Sequence, residues 1–163
     1  MLNVLYLDSN NFTGCIPHSI GQLKALCTLH IYNNSISGSI PDSISGLVFL
    51  QILYLSKNNL DEPIPQGIGN CTSLTFFPAH SNNFSGTLPT SLAYCTNIKL
   101  LDLGTNGLTG EIPEYLSFFH GLRVLSLGYN NLHGGIPKGI TNLTMLHMLD
   151  LSNNQLSGRI RVS

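Results

Sequence analysis

Apolar positions recur along this chain with a period of 24 residues. Leucine or isoleucine stands at Leu2, Leu26, Leu50, Leu74, Ile98, Leu122 and Leu146, and an asparagine follows each by eight residues, from Asn10 to Asn154, without insertion or deletion across seven units. A fixed period of this length predicts a solenoid in which every unit is one coil stacked on the last. Each unit reads approximately L-x-x-L-x-L-x-x-N-x-L-x-G-x-I-P-x-x-I-x-x-L-x-x. Its first part, as in Leu50 to Leu55, alternates apolar and polar residues and predicts a short strand with one face inward. Stacking places these strands about 4.8 Å apart in one parallel sheet, whose other side the rest of each coil must cover.

The remaining repeat positions have separate physical roles. The asparagine ends the strand, and its amide both donates and accepts, so a buried column of amides is expected to satisfy backbone groups of its own and adjacent coils. Glycine at Gly14, Gly38, Gly86, Gly110, Gly134 and Gly158 suits a turn with positive φ. The Ile-Pro or Leu-Pro pair that follows, from Ile16-Pro17 to Ile136-Pro137, is expected to start a short helical turn, buried through pairs such as Ile20 and Leu23. Three places break the pattern: Glu62 with Pro63 in coil 3, Pro78 with Ala79 in coil 4, and Arg159-Ile160-Arg161 in coil 7. Pro78 removes a strand donor, so the sheet is expected to weaken there.

Composition narrows the function classes. Net charge is -1 and only 9% of residues are charged, against about 25% in ordinary domains. No basic patch emerges, which argues against nucleic acid as a partner. Cys15, Cys27, Cys71 and Cys95 match no zinc or redox spacing. Cys71 and Cys95 share a repeat position with Leu23 and Leu47 and read as small buried hydrophobes. A disulfide between these adjacent coils is the alternative, disfavoured by demanding bridge geometry. No apolar run reaches membrane-spanning length, and Met1 precedes Leu2 already in repeat register, with no signal peptide.

The repeat resembles the plant-type leucine-rich repeat, whose distinguishing Gly-x-Ile-Pro portion stands here as Gly110-Glu111-Ile112-Pro113. The resemblance covers the whole chain. It implies a right-handed superhelix with a concave parallel sheet and short helical or 3-10 turns outside, an α/β repeat solenoid. It also implies the extracellular ectodomain of a receptor-like kinase or receptor-like protein in signalling or defence, or a secreted inhibitor of a microbial wall-degrading enzyme. Residues 1–163 are read as one array of seven coils, the last truncated, without the cysteine-paired caps of complete members. An internal segment of a longer ectodomain is expected, with a truncated product as the rival. Membrane attachment would come only through segments outside this chain.

Function should sit where coils differ. The outward position between the second and third strand leucines reads Tyr6, His30, Tyr54, Pro78, Asp102, Ser126, Asp150; the position after the third leucine reads Asp8, Tyr32, Ser56, His80, Gly104, Gly128, Ser152; the next reads Ser9, Asn33, Lys57, Ser81, Thr105, Tyr129, Asn153. Tyr6, His30, Tyr32, Tyr54, Lys57 and His80 are the candidate contacts for a peptide or protein ligand, with a co-receptor as a further partner, because tyrosine supplies rigid contact area and a hydroxyl. The competing reading is an unused sheet face on which tyrosine simply suits strands. Asp102, Ser126 and Asp150 with His147 do not read as a catalytic set, since an open sheet offers no sheltered pocket. The histidines are spaced apart, so no metal or cofactor is expected. Five N-x-S/T sequons occur. Asn11, Asn70, Asn83 and Asn142 are the expected glycan acceptors, and Asn33, on the edge of the proposed face, is expected to stay bare.

Overall fold

In a computed structural model, which describes residues 1–160, the seven coils stack in sequence order. Arg161, the last residue of the third pattern break, lies outside the described residues. Each coil contributes one three-residue strand to a seven-stranded sheet: Val4–Tyr6, Thr28–His30, Ile52–Tyr54, Phe76–Pro78, Leu100–Asp102, Val124–Ser126 and Met148–Asp150. All pairings are parallel and in repeat register, as in Leu5↔Leu29 and Leu125↔Leu149. The inward residues form the core as columns. Leu26, Leu50, Leu74, Ile98 and Leu122 have no exposed surface, and neither do Leu55, Leu103 and Leu127. The core is therefore a continuous stack, each coil covering the apolar faces of its neighbours.

The asparagine column joins the coils at the strand ends. Asn58 donates through Nδ2 to the carbonyls of Ile31 (2.9 Å) and Leu55 (3.0 Å) and accepts the Ile36 N–H at 3.0 Å. Asn82, Asn106 and Asn130 repeat this arrangement. The residue before each asparagine has positive φ, between 52° and 57°, at Ser9, Asn33, Lys57, Ser81, Thr105, Tyr129 and Asn153. This left-handed turn swings the chain out of the strand and presents the amide to the carbonyls on either side. The glycines of the Gly-x-Ile-Pro portion also have positive φ, from 68° to 91°, as expected.

Among the described residues six five-residue 3-10 turns, from His18–Gln22 to Lys138–Asn142, cover the outer side. The proline does not start the turn, as the sequence suggested, but precedes it in extended conformation; Pro17 has φ -73° and ψ 144°. The reason is that its carbonyl accepts the Ile20 N–H at 2.9 Å and so closes the first turn. The turns stack in backbone contact: a Cβ on Gly21 would clash with the Ser43 carbonyl oxygen.

Two three-stranded outer ladders also form, one joining Thr13–Gly14, Ser35–Gly38 and Asn59–Leu60, the other joining Thr109–Glu111, Asn131–Gly134 and Gln155–Leu156. They stop between coils 3 and 5. There Glu62 stands where other coils have glycine, and Pro63 lacks the N–H a strand would donate. Pro78 has a similar local effect on the main sheet. The pairing of Ile52–Tyr54 with Phe76–Pro78 narrows to Ile52↔Phe76, although the Pro78 carbonyl still accepts the Leu55 N–H at 2.9 Å.

Candidate recognition face

Strand periodicity points residues 4 and 6 of each coil toward the concave side, and the strand end carries residue 8. In coils 1 to 3 this brings four of the six candidate residues together. The Tyr6 and His30 rings lie 4.7 Å apart, His30 and Tyr54 5.3 Å, and Tyr32 stacks on Tyr54 at 4.4 Å with 24° between planes. Tyr6 is 62% exposed and the other three are half-buried. His30 sits in the middle of the cluster, and its Nε2 is buried without a hydrogen-bond partner. Burial holds the imidazole below its ordinary pKa, with Asp8 opposing the shift.

The other two candidates lie outside the cluster. Lys57 is exposed on the left-handed turn, at the rim of the sheet. His80 places Nδ1 3.0 Å from Ser81 Oγ and faces a neighbouring hollow of about 400 Å³. His30, Tyr54, Phe76, Pro78, Leu100 and Asp102 also line that hollow. The column Val4, Ile52, Phe76, Leu100 and Met148 was not among the sequence candidates. Period two could have found it, since residues 4 and 6 of a coil share a face. Tyr54 and Phe76 then border one apolar depression rather than standing as isolated side chains.

Coils 5 to 7 present a second, polar depression of about 240 Å³, lined by His80, Asp102, Gly104, Ser126, Gly128 and Asp150 among others. The expectation that these columns face solvent needs correcting at two serines: Ser126 is 8% exposed and Ser56 1%. Adjacent strands crowd a short side chain, and Asp102 and Asp150 flank Ser126 directly in the sheet. Asp102 Oδ1 accepts the Gly104 N–H at 3.1 Å. Asp150 Oδ1 accepts the N–H (3.0 Å) and hydroxyl (2.7 Å) of Ser152, and these bonds hold its carboxyl below the usual carboxylate range. Among the described residues the Ser126 hydroxyl makes no hydrogen bond to a histidine, and His147 is exposed just ahead of strand Met148–Asp150. Among the described residues no group of three or more His, Cys, Asp or Glu side chains is placed to hold a metal ion.

On the outer side Cys71 and Cys95 are buried free thiols; Cys95 Sγ lies 3.5 Å from the Cys71 carbonyl oxygen. Burial pushes Cys71 up to about 12 and Cys95 to about 11. All five sequon asparagines are exposed, and Asn33 Nδ2 donates to Ser9 Oγ at 3.3 Å on the rim beside Tyr32. Among the described residues no helix is long and apolar enough to cross a membrane.

The leucine rich repeat family profile matches residues 1–60 and 96–156. The chain belongs to the leucine-rich repeat family. Its plant type, expected from the Gly-x-Ile-Pro portion, agrees with the solved structures it resembles. The ectodomain of the Arabidopsis thaliana membrane receptor kinase GASSHO1/SCHENGEN3, solved in complex with CASPARIAN STRIP INTEGRITY FACTOR 2, is 37% identical over 98% of this chain, with a TM-score of 0.94. The Arabidopsis receptor kinase HAESA, solved with the peptide hormone IDA and the co-receptor SERK1, is 41% identical over 95% of this chain, with a TM-score of 0.92. The chain spans only 19% and 26% of those two proteins. A plant ice-binding protein shares the fold at 22% identity and a TM-score of 0.69, over 99% of this chain and 67% of its own. No curated protein matches the chain.

Proposed function

We propose that this chain is a non-enzymatic recognition module, a stretch of a receptor-like ectodomain at the cell surface that binds an extended peptide along its concave face. One observation carries the reading: Tyr6, His30, Tyr32 and Tyr54 form a contiguous ring cluster that opens directly into the apolar hollow at Phe76 and Leu100. Large amphipathic rings over an apolar depression suit side chains of a bound peptide, while the tyrosine hydroxyls offer hydrogen bonds to its backbone. The similar HAESA ectodomain is complexed with the peptide hormone IDA and the co-receptor SERK1, and GASSHO1/SCHENGEN3 with CASPARIAN STRIP INTEGRITY FACTOR 2; a co-receptor contact on the rim is proposed here by the same analogy. Asn11, Asn70, Asn83 and Asn142 are proposed glycan acceptors, with Asn33 kept bare because a glycan there would stand beside Tyr32. Glycopeptide mass spectrometry from a plant secretory host, with Asn33 fully occupied, would contradict that last point.

The test is selection of phage-displayed random dodecapeptides on the full chain, followed by calorimetry of the recovered peptides. Binding should weaken at least tenfold in Tyr32→Ala and Tyr54→Ala and stay unchanged in the outer-side variant Tyr94→Ala. Absence of enrichment, or equal loss in all three variants, would refute the concave-face reading.

A further inference from the structure

We infer that the depression in coils 5 to 7 is a cation subsite, which receives a guanidinium or ammonium group of the bound peptide between Asp102 and Asp150, over Ser126. The inference rests on the peptide-binding reading above and deepens it by giving the ligand a charge and a position for that charge.

Three independent features point to an occupant. The two carboxylates engage their own coils through Oδ1 alone, leaving each Oδ2 without a hydrogen bond among the described residues. Ser126, between them in register, is more than nine-tenths buried and lines the depression, yet its hydroxyl has no hydrogen-bond partner among the described residues. Its Oγ is not one of the side-chain atoms sealed from solvent, so it opens into the depression and can accept a hydrogen bond from a ligand. Finally, glycine keeps the space open. A Cβ on Gly128 would lie 2.8 Å from both carboxylate oxygens of Asp150, and one on Gly104 would lie 3.1 Å from Ser126 Oγ. The same repeat position carries Tyr32 and His80 in earlier coils, so the depression exists because these two coils have no side chain there.

The spacing selects the kind of cation. Asp102 and Asp150 stand two strands apart, roughly 10 Å along the sheet. A calcium ion needs its oxygens at about 2.3–2.6 Å and cannot join both. A guanidinium or ammonium group donates several hydrogen bonds in different directions and can lie over Ser126 with a carboxylate on each side. His80 borders both depressions. The apolar hollow is centred near coil 4 and the cation subsite near coil 6, again about 10 Å, which an extended peptide crosses in about three residues. The ligand class is therefore a peptide with an apolar or aromatic residue and a basic group about three residues apart.

The probes are small amides, titrated into the 15N-labelled full chain while the Gly104 and Gly128 amide signals are followed. N-acetyl-argininamide and N-acetyl-lysinamide should shift both signals saturably, and the neutral isostere N-acetyl-citrullinamide should not. Asp102→Asn and Asp150→Asn should each weaken the response at least threefold, and the double variant should abolish it, with the remaining signals reporting that the fold is intact. Glycinamide separates the sources: a response equal to that of N-acetyl-argininamide assigns the subsite to a peptide amino terminus, and a weaker one to a basic side chain. No saturable shift, equal shifts with N-acetyl-citrullinamide, or shifts that survive the double variant overturn the inference. The phage selection keeps the two readings apart. Peptides that need Tyr32 and Tyr54 but carry no basic residue and ignore the double variant would remove the cation subsite and leave the recognition face. Argininamide binding without any selected peptide would do the reverse.

Discussion

Replacing Asn58 by alanine tests how the coils are held together. Its Nδ2 bonds to the Ile31, Leu55 and Ser56 carbonyls matter less than the bond its Oδ1 accepts, because each carbonyl has another donor. Ile31 also accepts from Asn34, Leu55 from Asn82, and Ser56 from the Asn33 N–H. The Ile36 N–H has only Asn58 Oδ1, at 3.0 Å, among the described residues. Asn58→Ala therefore leaves one donor wholly unsatisfied next to a buried strand end, at about 1–3 kcal/mol, and removes bonds worth about 0.5–1 kcal/mol each at carbonyls that keep a partner. The expected loss is about 2–4 kcal/mol, or roughly 4–16 °C in Tm for a chain of this size.

Asn10 provides the internal comparison. It donates to Leu7 and Asp8 at 3.2 and 2.9 Å, but its Oδ1 accepts no hydrogen bond among the described residues and the side chain is exposed. Asn10→Ala should cost less than about 1 kcal/mol. Urea unfolding followed by circular dichroism measures both, and hydrogen exchange of the Ile36 amide separates a local opening from loss of the whole array. Equal midpoint shifts for the two variants, or less than about 0.5 kcal/mol for Asn58→Ala, would refute the claim that inter-coil amide bonds hold the strand ends.

Other positions give sharper local tests. Thr105 is β-branched yet has φ 56°, so Thr105→Asn should raise stability by about 0.5–1 kcal/mol in the same urea assay. Gly21→Ala drives a Cβ against the Ser43 carbonyl and should destabilise by about 1–3 kcal/mol as the 3-10 turns separate. Native alkylation mapped by mass spectrometry at pH 8 should modify exposed Cys15 and spare Cys71 and Cys95, whose burial pushes the thiols to about 12 and 11. Since burial lowers the His30 pKa from 6.5, the unfolded chain takes up that proton first. Its contribution to stability is then complete above 6.5 and erodes as pH falls below it; His30→Phe should flatten a urea-midpoint titration in that window.

The parts of the fold that were legible in the sequence are those on which every coil depends. Leu26, Leu50 and Leu74 recur because a missing core residue would open a cavity between two neighbours, and Asn34, Asn58 and Asn82 recur because each serves strands on both sides. The outer ladders were harder to read, since Thr13, Asn59 and Thr109 bond there through backbone and their side chains carry little pattern. The left-handed turns were invisible for a related reason. That position holds Ser, Asn, Lys, Thr and Tyr, and only two of the seven, Asn33 and Asn153, are the amides that favour positive φ. The tyrosine cluster was legible because Tyr6, His30 and Tyr54 occupy one column, whereas the apolar hollow became visible only when residue 4 of each coil was placed beside residue 6. The burial of Ser126 depends on aspartates in adjacent strands, which a single coil read by itself does not reveal.

This division of labour explains how one scaffold can carry a surface that changes from coil to coil. The inward leucines, the asparagine and the proline hold the coil, and residues 4, 6 and 8 contribute little to the buried stack, so they vary at small cost to folding. Variation at residue 8 changes depth as well as chemistry. Tyr32 raises the surface in coil 2, His80 narrows it in coil 4, and Gly104 and Gly128 lower it in coils 5 and 6. Depth and charge therefore change together along the array, from raised aromatic rings to a low acidic floor. A peptide bound as proposed would meet different chemistry at its two ends, and so would have one favoured direction. Filling the floor with Gly128→Ala should weaken that directional preference while leaving the Tyr32–Tyr54 stack intact, because the two are separated by several coils that contact only their neighbours.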